Sequence, residues 1–355
     1  MSDATLPEHA REAGARVAER FMRRSDYAHS YTNDLALEGL LWWGASAGDR
    51  SCAAFVRKVM TGFRGWTPGQ GLTWRANPFT LLHVQWFLFT GERDWIAGFV
   101  EDAERCRREV ARSSDGGAAF VYRPETGRIF VDMLQQYASR MAFAGRLSGD
   151  VSFYKEAVAQ YELQRNALRD PATGLWSQGR GWGPTPDFVS PLGWLRGQGW
   201  VLRGMVDVLS FLPADSAHAE PMRRMLAEFA SDLLRWQDRR GMWHQVPHRA
   251  NSYQETTGTG LFVHALFRAV AQGFLPAEPY LAAAERGLKA LCGFVSADGT
   301  VLNGSFGCGP LFEEEDYLHR PAPPGDAHTP GTTLLACAAP ALFGAGHAFL
   351  KALLS

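Results

Sequence analysis

The sequence carries almost no excess of charge, has an odd number of cysteines and contains no long apolar run. Its 36 basic and 37 acidic side chains give a formal net charge of −1, so we expect neither a nucleic acid nor an anionic membrane as a partner. The five cysteines are scattered without C-x-x-C spacing, which argues against a disulfide framework and a zinc site. No apolar stretch is long enough to span a bilayer.

The N-terminal residues also lack the features of a secretory signal. Residues 1–11 contain no basic segment that is followed by an apolar one, so we expect a cytoplasmic protein. No metal site and no organic cofactor are expected. Hydrophobic residues make up 46% of the 355 positions, enough for a large core, and we predict a single domain over residues 1–355.

A repeated turn is the main organisational signal. Segments 46–49, 90–93 and 148–150 each carry a glycine between an apolar run and an amphipathic one, where the glycine suits a helix end and its polar neighbour suits the next helix start. Later in the chain Leu212-Pro213 and Leu275-Pro276 stand at the equivalent places. The predicted unit is therefore a helix, a short turn and a second helix.

Apolar periodicity of about 3.6 residues predicts twelve helices. Their ranges are 5–24, 31–46, 50–62, 77–90, 93–112, 129–147, 151–168, 194–211, 216–237, 254–273, 277–295 and 331–352. Every second helix, beginning with 31–46, is the more apolar of its pair and follows a long loop. We therefore predict an all-α (α/α)6 barrel of six helical hairpins, with the apolar helices inside and the long loops at one end. An open helical solenoid would share the repeat and is the alternative.

The loop end of such a barrel is the predicted ligand site. Segment 190–200 places Trp194, Arg196 and Trp200 at the start of one apolar helix, a combination of flat aromatic faces and a cation that suits an anionic sugar. The other interpretation is that both indoles belong to the core and Arg196 is a surface charge. The starts of the other inner helices also pair aromatic with polar residues, as at Tyr31 and at 253–256.

Asp132 is the candidate proton donor. It lies in a mostly apolar segment, 127–136, which would desolvate the carboxyl group and raise its pKa. Asp132 could instead be a helix cap. Glu255 and Asp34 are acids at the same end of the barrel, and each is either a second carboxylate that works with Asp132 or a helix cap.

Several polar residues favour a structural interpretation. Asn77 precedes Pro78 and is typical of a helix cap. His83 and His264 are predicted core histidines, whereas His244, His319 and His328 are too scattered for a metal site. The acidic run 313–316 is expected to be a solvated loop.

Five segments resemble glycoside hydrolase families 88 and 105, the unsaturated glucuronyl and rhamnogalacturonyl hydrolases. The Trp-x-Arg-Gly-x-x-Trp run at 194–200 is the most specific, and the others lie, in the order of those families, at 131–132 with 148–150, 170–175, 253–256 and 298–299. The resemblance implies a six-hairpin barrel. It also implies that Asp132 is the general acid and base, and that Trp194, Arg196, Trp200 and Tyr31 line the sugar subsite.

The chemistry implied by the resemblance is hydration of a double bond rather than direct displacement. A protonated carboxyl group donates to C4 of a C4=C5 unsaturated uronide, water adds at C5, and the hemiketal opens and expels the aglycone. One residue can act first as acid and then as base, so a second carboxylate is not required. The implied partner is a small oligosaccharide made by a polysaccharide lyase, bound by a monomer or homodimer.

Two positions depart from the pattern of these families. Asn77 stands where many members have an aspartate, and Gln178 stands where many have a histidine; we predict that both contact the substrate and alter which sugar is held. Two other functions remain open. One is a conventional inverting glycosidase that pairs Asp132 with Glu255 or Asp34, and the other is a non-catalytic sugar-binding relative.

Overall fold

The computed structural model describes residues 6–27, 30–62, 81–119 and 127–343. Within these ranges the chain is mainly helical. The helices are α1 (Glu8–Met22), α2 (Tyr31–Ala47), α3 (Arg50–Gly62), α4 (Leu82–Thr90), α5 (Phe99–Glu109), α6 (Ser139–Ser148), α7 (Val151–Leu168), α8 (Leu195–Phe211), α9 (Ala219–Leu234), α10 (Thr256–Ala271), α11 (Tyr280–Cys292), α12 (Glu314–Leu318) and α13 (Thr329–Ala338). Single 3₁₀ turns cover Arg93–Ile96 and Ala339–Phe343, and a π-helical turn, Leu134–Ala138, leads into α6.

The predicted turns are present and end their helices as expected. Gly48, Gly91 and Gly149 each follow a helix in the left-handed conformation, which a residue without Cβ adopts at little cost. Asp150 caps the next helix by accepting a hydrogen bond from the Ser152 amide at 2.8 Å. The local sequence therefore determines where these hairpins reverse direction.

The inner layer is a closed ring. Helices α2, α4, α6, α8, α10 and α13 form it, with neighbours packed in that order and α13 packed on α2; α4 meets α6 through Phe87 and Phe143, whose ring centroids lie 6.3 Å apart. Outer helices α3, α5, α7, α9, α11 and α1 cover this ring. The predicted (α/α)6 barrel is confirmed, and the contact between α2 and α13 excludes the open solenoid.

The ring closes at a seam made of two glycines. A Cβ atom on Gly39 of α2 would lie 2.8 Å from the carbonyl oxygen of Gly331 in α13, and one on Gly331 would lie 2.6 Å from the Leu35 backbone. The two helix backbones therefore touch at this point, and a larger residue at either position would push the helices apart.

A buried ion-pair network crosses the ring below the loop end. Arg203 of α8 contacts Glu38 of α2, and its Nε lies 3.6 Å from Asp207 Oδ2. Asp207 also pairs with Arg268 of α10 at 2.5 Å, and all four side chains are at most 5% exposed. Two positive and two negative charges thus join three otherwise apolar inner helices.

Several predicted boundaries differ from the structure for local reasons. The predicted helix 93–112 is a 3₁₀ turn followed by α5, because Gly98 has a φ of 73°. The predicted helix 129–147 begins only at 132, because Ile129–Phe130 form strand β1, which pairs antiparallel with β2 (Gly179–Arg180). Within the described residues the predicted helix 331–352 is α-helical only to Ala338, since Pro340 lacks the amide that a continued helix needs. Positions 344–352 of this helix, and positions 77–80 of the predicted helix 77–90, lie outside the described residues.

The acidic run 313–316 is largely exposed, as predicted, but the predicted loop is wrong. Residues Glu314–Leu318 form the short helix α12, and Glu314 binds His248 at 2.8 Å and also contacts Arg249. Both partners belong to the α9–α10 loop, so the acidic run ties two loops together. Among the residues that the structure describes, no helix has the length and apolar character needed to cross a membrane.

Candidate active site

Asp132 lies at the loop end of the ring, held by the short β1–β2 pair. The amide of Val131 donates to the Gln178 carbonyl at 3.0 Å, and the next residue, Asp132, begins the inner helix. Its side chain is 5% exposed, and its Oδ1 has no hydrogen-bond partner among the described residues. Burial raises the pKa of Asp132 to about 8, although the nearby Arg196 charge acts in the opposite direction. The carboxyl group is therefore protonated at neutral pH and can donate a proton.

Arg196 is the buried cation of the site. It lies in the first turn of α8, is 1% exposed, and donates from Nη1 to the Ser305 carbonyl at 2.6 Å and to Thr257 Oγ1 at 3.2 Å. Its Nη2 is buried without a partner in the described part of the chain. The guanidinium group also lies 4.9 Å from the Trp194 ring centroid. A fixed cation with one unused nitrogen is suited to an anionic ligand.

Aromatic rings form one wall beside Arg196. Trp194 stacks on Phe130 with centroids 6.1 Å apart and an interplanar angle of 14°, and Phe130 contacts Trp182 at 5.6 Å. Trp194 Nε1 is buried without a partner among the described residues. Trp200 lies more than one turn further along α8; it is 8% exposed and Trp194 is 4% exposed, and both indoles belong to the core cluster. Trp194 is thus the indole that contacts Arg196.

Tyr31 contacts a histidine that in turn contacts an aspartate, and the sequence identified neither as a site residue. Its hydroxyl group bonds to His328 Nε2, and His328 Nδ1 bonds to Asp326 Oδ1 at 2.6 Å. Burial is the main cause that lowers the pKa of His328 to about 4 and raises that of Tyr31 to about 12. The contact between Tyr31 and His328 could have been predicted from the sequence, because these residues stand at the starts of the first and the last inner helices, which a closed ring brings together.

Glu255 acts as a helix cap in the structure. One oxygen accepts from the Thr257 amide at 2.9 Å, the Thr257 hydroxyl at 2.6 Å and the Ser305 amide at 2.9 Å, and the other accepts from the Gly258 amide at 2.6 Å. Because Thr257 and Ser305 both bind Arg196, Glu255 holds the two groups that orient the guanidinium.

Gln178 also has both ends of its amide engaged. Its Nε2 donates to the Cys308 carbonyl at 3.0 Å, and its Oε1 accepts from the Tyr317 hydroxyl at 2.6 Å. At 2% exposure it connects the β2 segment to the loop before α12. Asn77 lies outside the described residues, and Asp34 is fully buried in the first turn of α2.

The remaining polar candidates do not join the site. His83 is 3% exposed and His264 fully buried, and burial lowers the pKa of both, as expected for core histidines. No group of three or more His, Cys, Asp or Glu side chains in the described ranges is arranged to hold a metal ion.

A comparison with known families finds one whose model covers most of the chain. The model of Glycosyl Hydrolase Family 88 matches residues 13–340. The chain belongs to this family. It is therefore a glycoside hydrolase, and the resemblance to family 88 is confirmed.

Individual relatives are more distant. The chain is 24% identical over 255 residues to the unsaturated rhamnogalacturonyl hydrolase YesR of Bacillus subtilis, covering 69% of this chain and 71% of that protein. It is 32% identical over 156 residues to Protein Atu3128 of Agrobacterium fabrum, covering 41% of this chain and 66% of the relative's length. A family 105 glycoside hydrolase from C. acetobutylicum superposes with a TM-score of 0.78 at 20% identity, covering 93% of this chain and 99% of that one. That likeness supports the barrel.

Proposed function

We propose that this protein hydrolyses lyase-generated oligosaccharides by releasing a 4,5-unsaturated uronic acid from their non-reducing end. In this reaction Asp132 catalyses hydration of the C4=C5 double bond. Relatives named as unsaturated rhamnogalacturonyl hydrolase and unsaturated 3S-rhamnoglycuronyl hydrolase support this substrate class.

The observation that carries the proposal is a buried carboxyl group within reach of the charge of a buried cation. Asp132 is almost fully buried, and Arg196 is close enough for its charge to lower the Asp132 pKa. A uronate supplies a carboxylate for Arg196 Nη2 and, at C4, a carbon that must receive a proton. An ordinary saturated glycoside needs its proton on the glycosidic oxygen instead. The unsaturated uronide therefore suits the combination of the Asp132 proton and the Arg196 charge better than a saturated glycoside does.

The proposed reaction begins with proton transfer from Asp132 to C4. The π electrons of the C4=C5 bond form the new C4–H bond, and the ring oxygen stabilises the positive charge that develops at C5. Water then adds to C5 and transfers a proton to the Asp132 carboxylate, which restores the protonated acid. The resulting hemiketal opens to a ketone, and the hemiacetal left at C1 releases the aglycone.

The surrounding residues would hold the sugar in place. Trp194 offers an apolar face beside Arg196, and Tyr31 approaches the site from α2; Trp200 and Gln178 would support the wall from behind. The proposed contact of Asn77 with substrate belongs to the same proposal. The Asn77 amide stands where many family members carry the negative charge of an aspartate, and this loss of charge would favour a different sugar or linkage.

The proposed setting is the cytoplasm. All five cysteines are free thiols, which is typical of a reducing compartment. We further propose one domain over residues 1–355 that acts as a monomer or homodimer, without nucleic acid or membrane as a partner.

A direct assay tests the function. Unsaturated oligosaccharides from pectin, glycosaminoglycan and ulvan lyase digests are expected to lose the ultraviolet absorbance of their conjugated enol carboxylate when the enzyme is added. The matched control uses the same oligosaccharides after chemical saturation of the double bond. These saturated oligosaccharides should not be cleaved. Cleavage of saturated and unsaturated forms at equal rates would contradict the proposal. Calorimetric binding without turnover would instead support a non-catalytic sugar-binding protein.

Replacing Glu255 by glutamine distinguishes a conventional inverting glycosidase from the proposed enzyme. We expect kcat to fall less than ~10-fold, because the Glu255 oxygens already accept hydrogen bonds from three backbone amides and from the Thr257 hydroxyl group. The free energy of unfolding should fall by about 1–3 kcal/mol, since the new NH₂ group faces the Gly258 amide. Steady-state kinetics and urea unfolding measure both quantities. A loss of ~10³-fold in kcat at unchanged stability would favour the inverting mechanism.

A further inference from the structure

A second concave surface lies at the loop end of the barrel, between the end of α9 and the start of α10. Residues 235–240 and part of the segment 244–254 line this α9–α10 cleft, which has a volume of about 550 Å³. Pockets for small ligands have volumes of roughly 300–1,000 Å³. Gln254 lines the cleft, and the next residue, Glu255, caps α10. The cleft is therefore a neighbour of the Arg196 site, although Arg196 itself does not line it.

Two arginines in the α9–α10 cleft carry charges that the protein does not neutralise. Arg239 and Arg240 are exposed, and their side chains form no ion pair or hydrogen bond with the residues that the structure describes. Arg235 differs, because it donates to Asp232 Oδ1 and to the Thr173 carbonyl, both at 2.8 Å. The cleft thus presents two guanidinium groups whose donors are free to bind a carboxylate.

The acid that lines the cleft is occupied by the turn that carries these arginines. Asp238 Oδ1 accepts hydrogen bonds from the backbone amides of Arg240 at 2.8 Å and Met242 at 2.9 Å. Its Oδ2 accepts from Gln254 Nε2 and lies 3.1 Å from His244 Nε2. The backbone below the two free guanidinium groups is therefore fixed before a ligand binds, which lowers the entropy that binding costs.

Trp236 and Gln254 supply the other contacts that a sugar ring needs. Trp236 Nε1 donates to the Thr173 carbonyl at 3.1 Å, and His248 meets the indole edge-on with ring centroids 6.3 Å apart. The half-buried indole is thus held in place where it lines the cleft, and its face can pack against the C–H groups of a sugar. Gln254 Oε1 accepts no hydrogen bond from the described residues, so it can accept one from a hydroxyl group.

We propose that the α9–α10 cleft is a non-catalytic binding site for an acidic oligosaccharide. Its carboxylate groups pair with Arg239 and Arg240, one sugar ring packs on Trp236, and a hydroxyl group donates to Gln254. A simple inorganic anion would use the two arginines but leave the indole and the amide without a contact, so the combination favours a sugar acid. The site goes beyond the proposed function, because it involves no reacting atom and does not require an unsaturated sugar.

Titration calorimetry on the full-length protein tests the cleft, with a saturated galacturonic acid tetrasaccharide as the probe. The Arg239→Ala/Arg240→Ala variant should bind the probe ~10-fold or more weakly than the wild type, because two charge-assisted contacts are lost. The matched control is Arg105→Ala/Arg108→Ala, which removes the same charge from exposed positions on α5 and should keep the wild-type affinity. Trp236→Leu should weaken binding ~5-fold or more. Urea unfolding of each variant checks that the protein remains folded.

Two further probes separate a sugar site from a simple anion site. Neutral maltotetraose should not bind, and inorganic phosphate should bind at least ~10-fold more weakly than the tetrasaccharide. The site is overturned if the wild type does not bind the tetrasaccharide, if both double variants bind it equally well, or if phosphate binds as tightly.

Turnover separates this site from the proposed function. Arg239→Ala/Arg240→Ala should hydrolyse an unsaturated disaccharide at the wild-type rate, because neither arginine belongs to the site around Asp132 and Arg196. A wild type without turnover would contradict the proposed function and leave the cleft intact. Loss of turnover in this variant that matches its loss of tetrasaccharide binding would instead show that the arginines serve the catalytic site, and would overturn a separate cleft.

Discussion

Replacement of Asp132 by asparagine is expected to lower kcat by ~10³-fold or more while the protein remains folded, since the amide cannot protonate C4. The wild-type rate should be constant around neutral pH and fall as the pH rises through about 8, the pKa to which burial raises Asp132. The rate falls rather than rises with increasing pH, because only the protonated carboxyl group can donate a proton to C4. A pH–rate profile on an unsaturated disaccharide measures both effects.

The same substitution should stabilise the protein at neutral pH. A carboxyl group whose pKa is raised in the folded state contributes stability that is fully present below its unfolded pKa of 3.8 and is lost as the pH rises through about 8. At pH 7.5 Asp132→Asn is therefore expected to gain about 2–4 kcal/mol in free energy of unfolding, and the gain should disappear near pH 4. Asp94→Asn, an exposed acid at the turn end of the barrel, should change neither activity nor stability. Equal stability of Asp132→Asn and wild type at both pH values would contradict the buried protonated carboxyl group.

Replacement of Arg203 by methionine is expected to lower the free energy of unfolding by about 3–5 kcal/mol, because it leaves Glu38 as a buried, unpaired carboxylate. The Arg203→Met/Glu38→Gln double variant should recover part of this loss, since Asp207 keeps Arg268 as its partner. Urea unfolding measures the three proteins under one set of conditions.

The matched control for the buried network is an exposed ion pair. Arg16→Met removes the pair with Glu12 on the surface of α1 and should cost less than about 1 kcal/mol. If Arg203→Met costs no more than Arg16→Met, or if the double variant is less stable than the single one, the network does not hold the three inner helices in the way described.

The sequence was sufficient to predict the barrel but not its irregular parts. Glycine-containing turns and the alternation of apolar and amphipathic helices are local signals, and they gave six hairpins with mostly correct boundaries. The β1–β2 pair and α12 depend on partners distant in sequence, such as the Arg249 contact of Glu314. Periodicity carries no information about such pairings.

The site was predicted unevenly for a similar reason. Asp132 and Arg196 were identified because an acid in an apolar segment and a cation between two indoles are unusual. His328 was set aside as one of several loop histidines too scattered for a metal site, and its partner Tyr31 lies 297 residues earlier in the chain. The charges of the ion-pair network were also visible on otherwise apolar helices, but only the folded chain reveals that they neutralise one another.

The glycine seam has a consequence for how the chain reaches its native state. It joins the first inner helix to the last, and near it Ser46 donates to Ala338, 292 residues further along the chain. Because contacts of such high sequence separation form late and slow folding, the ring cannot close during synthesis until α13 has left the ribosome. Until then the exposed flanks of α2 and α10 would be the surfaces that chaperones have to protect.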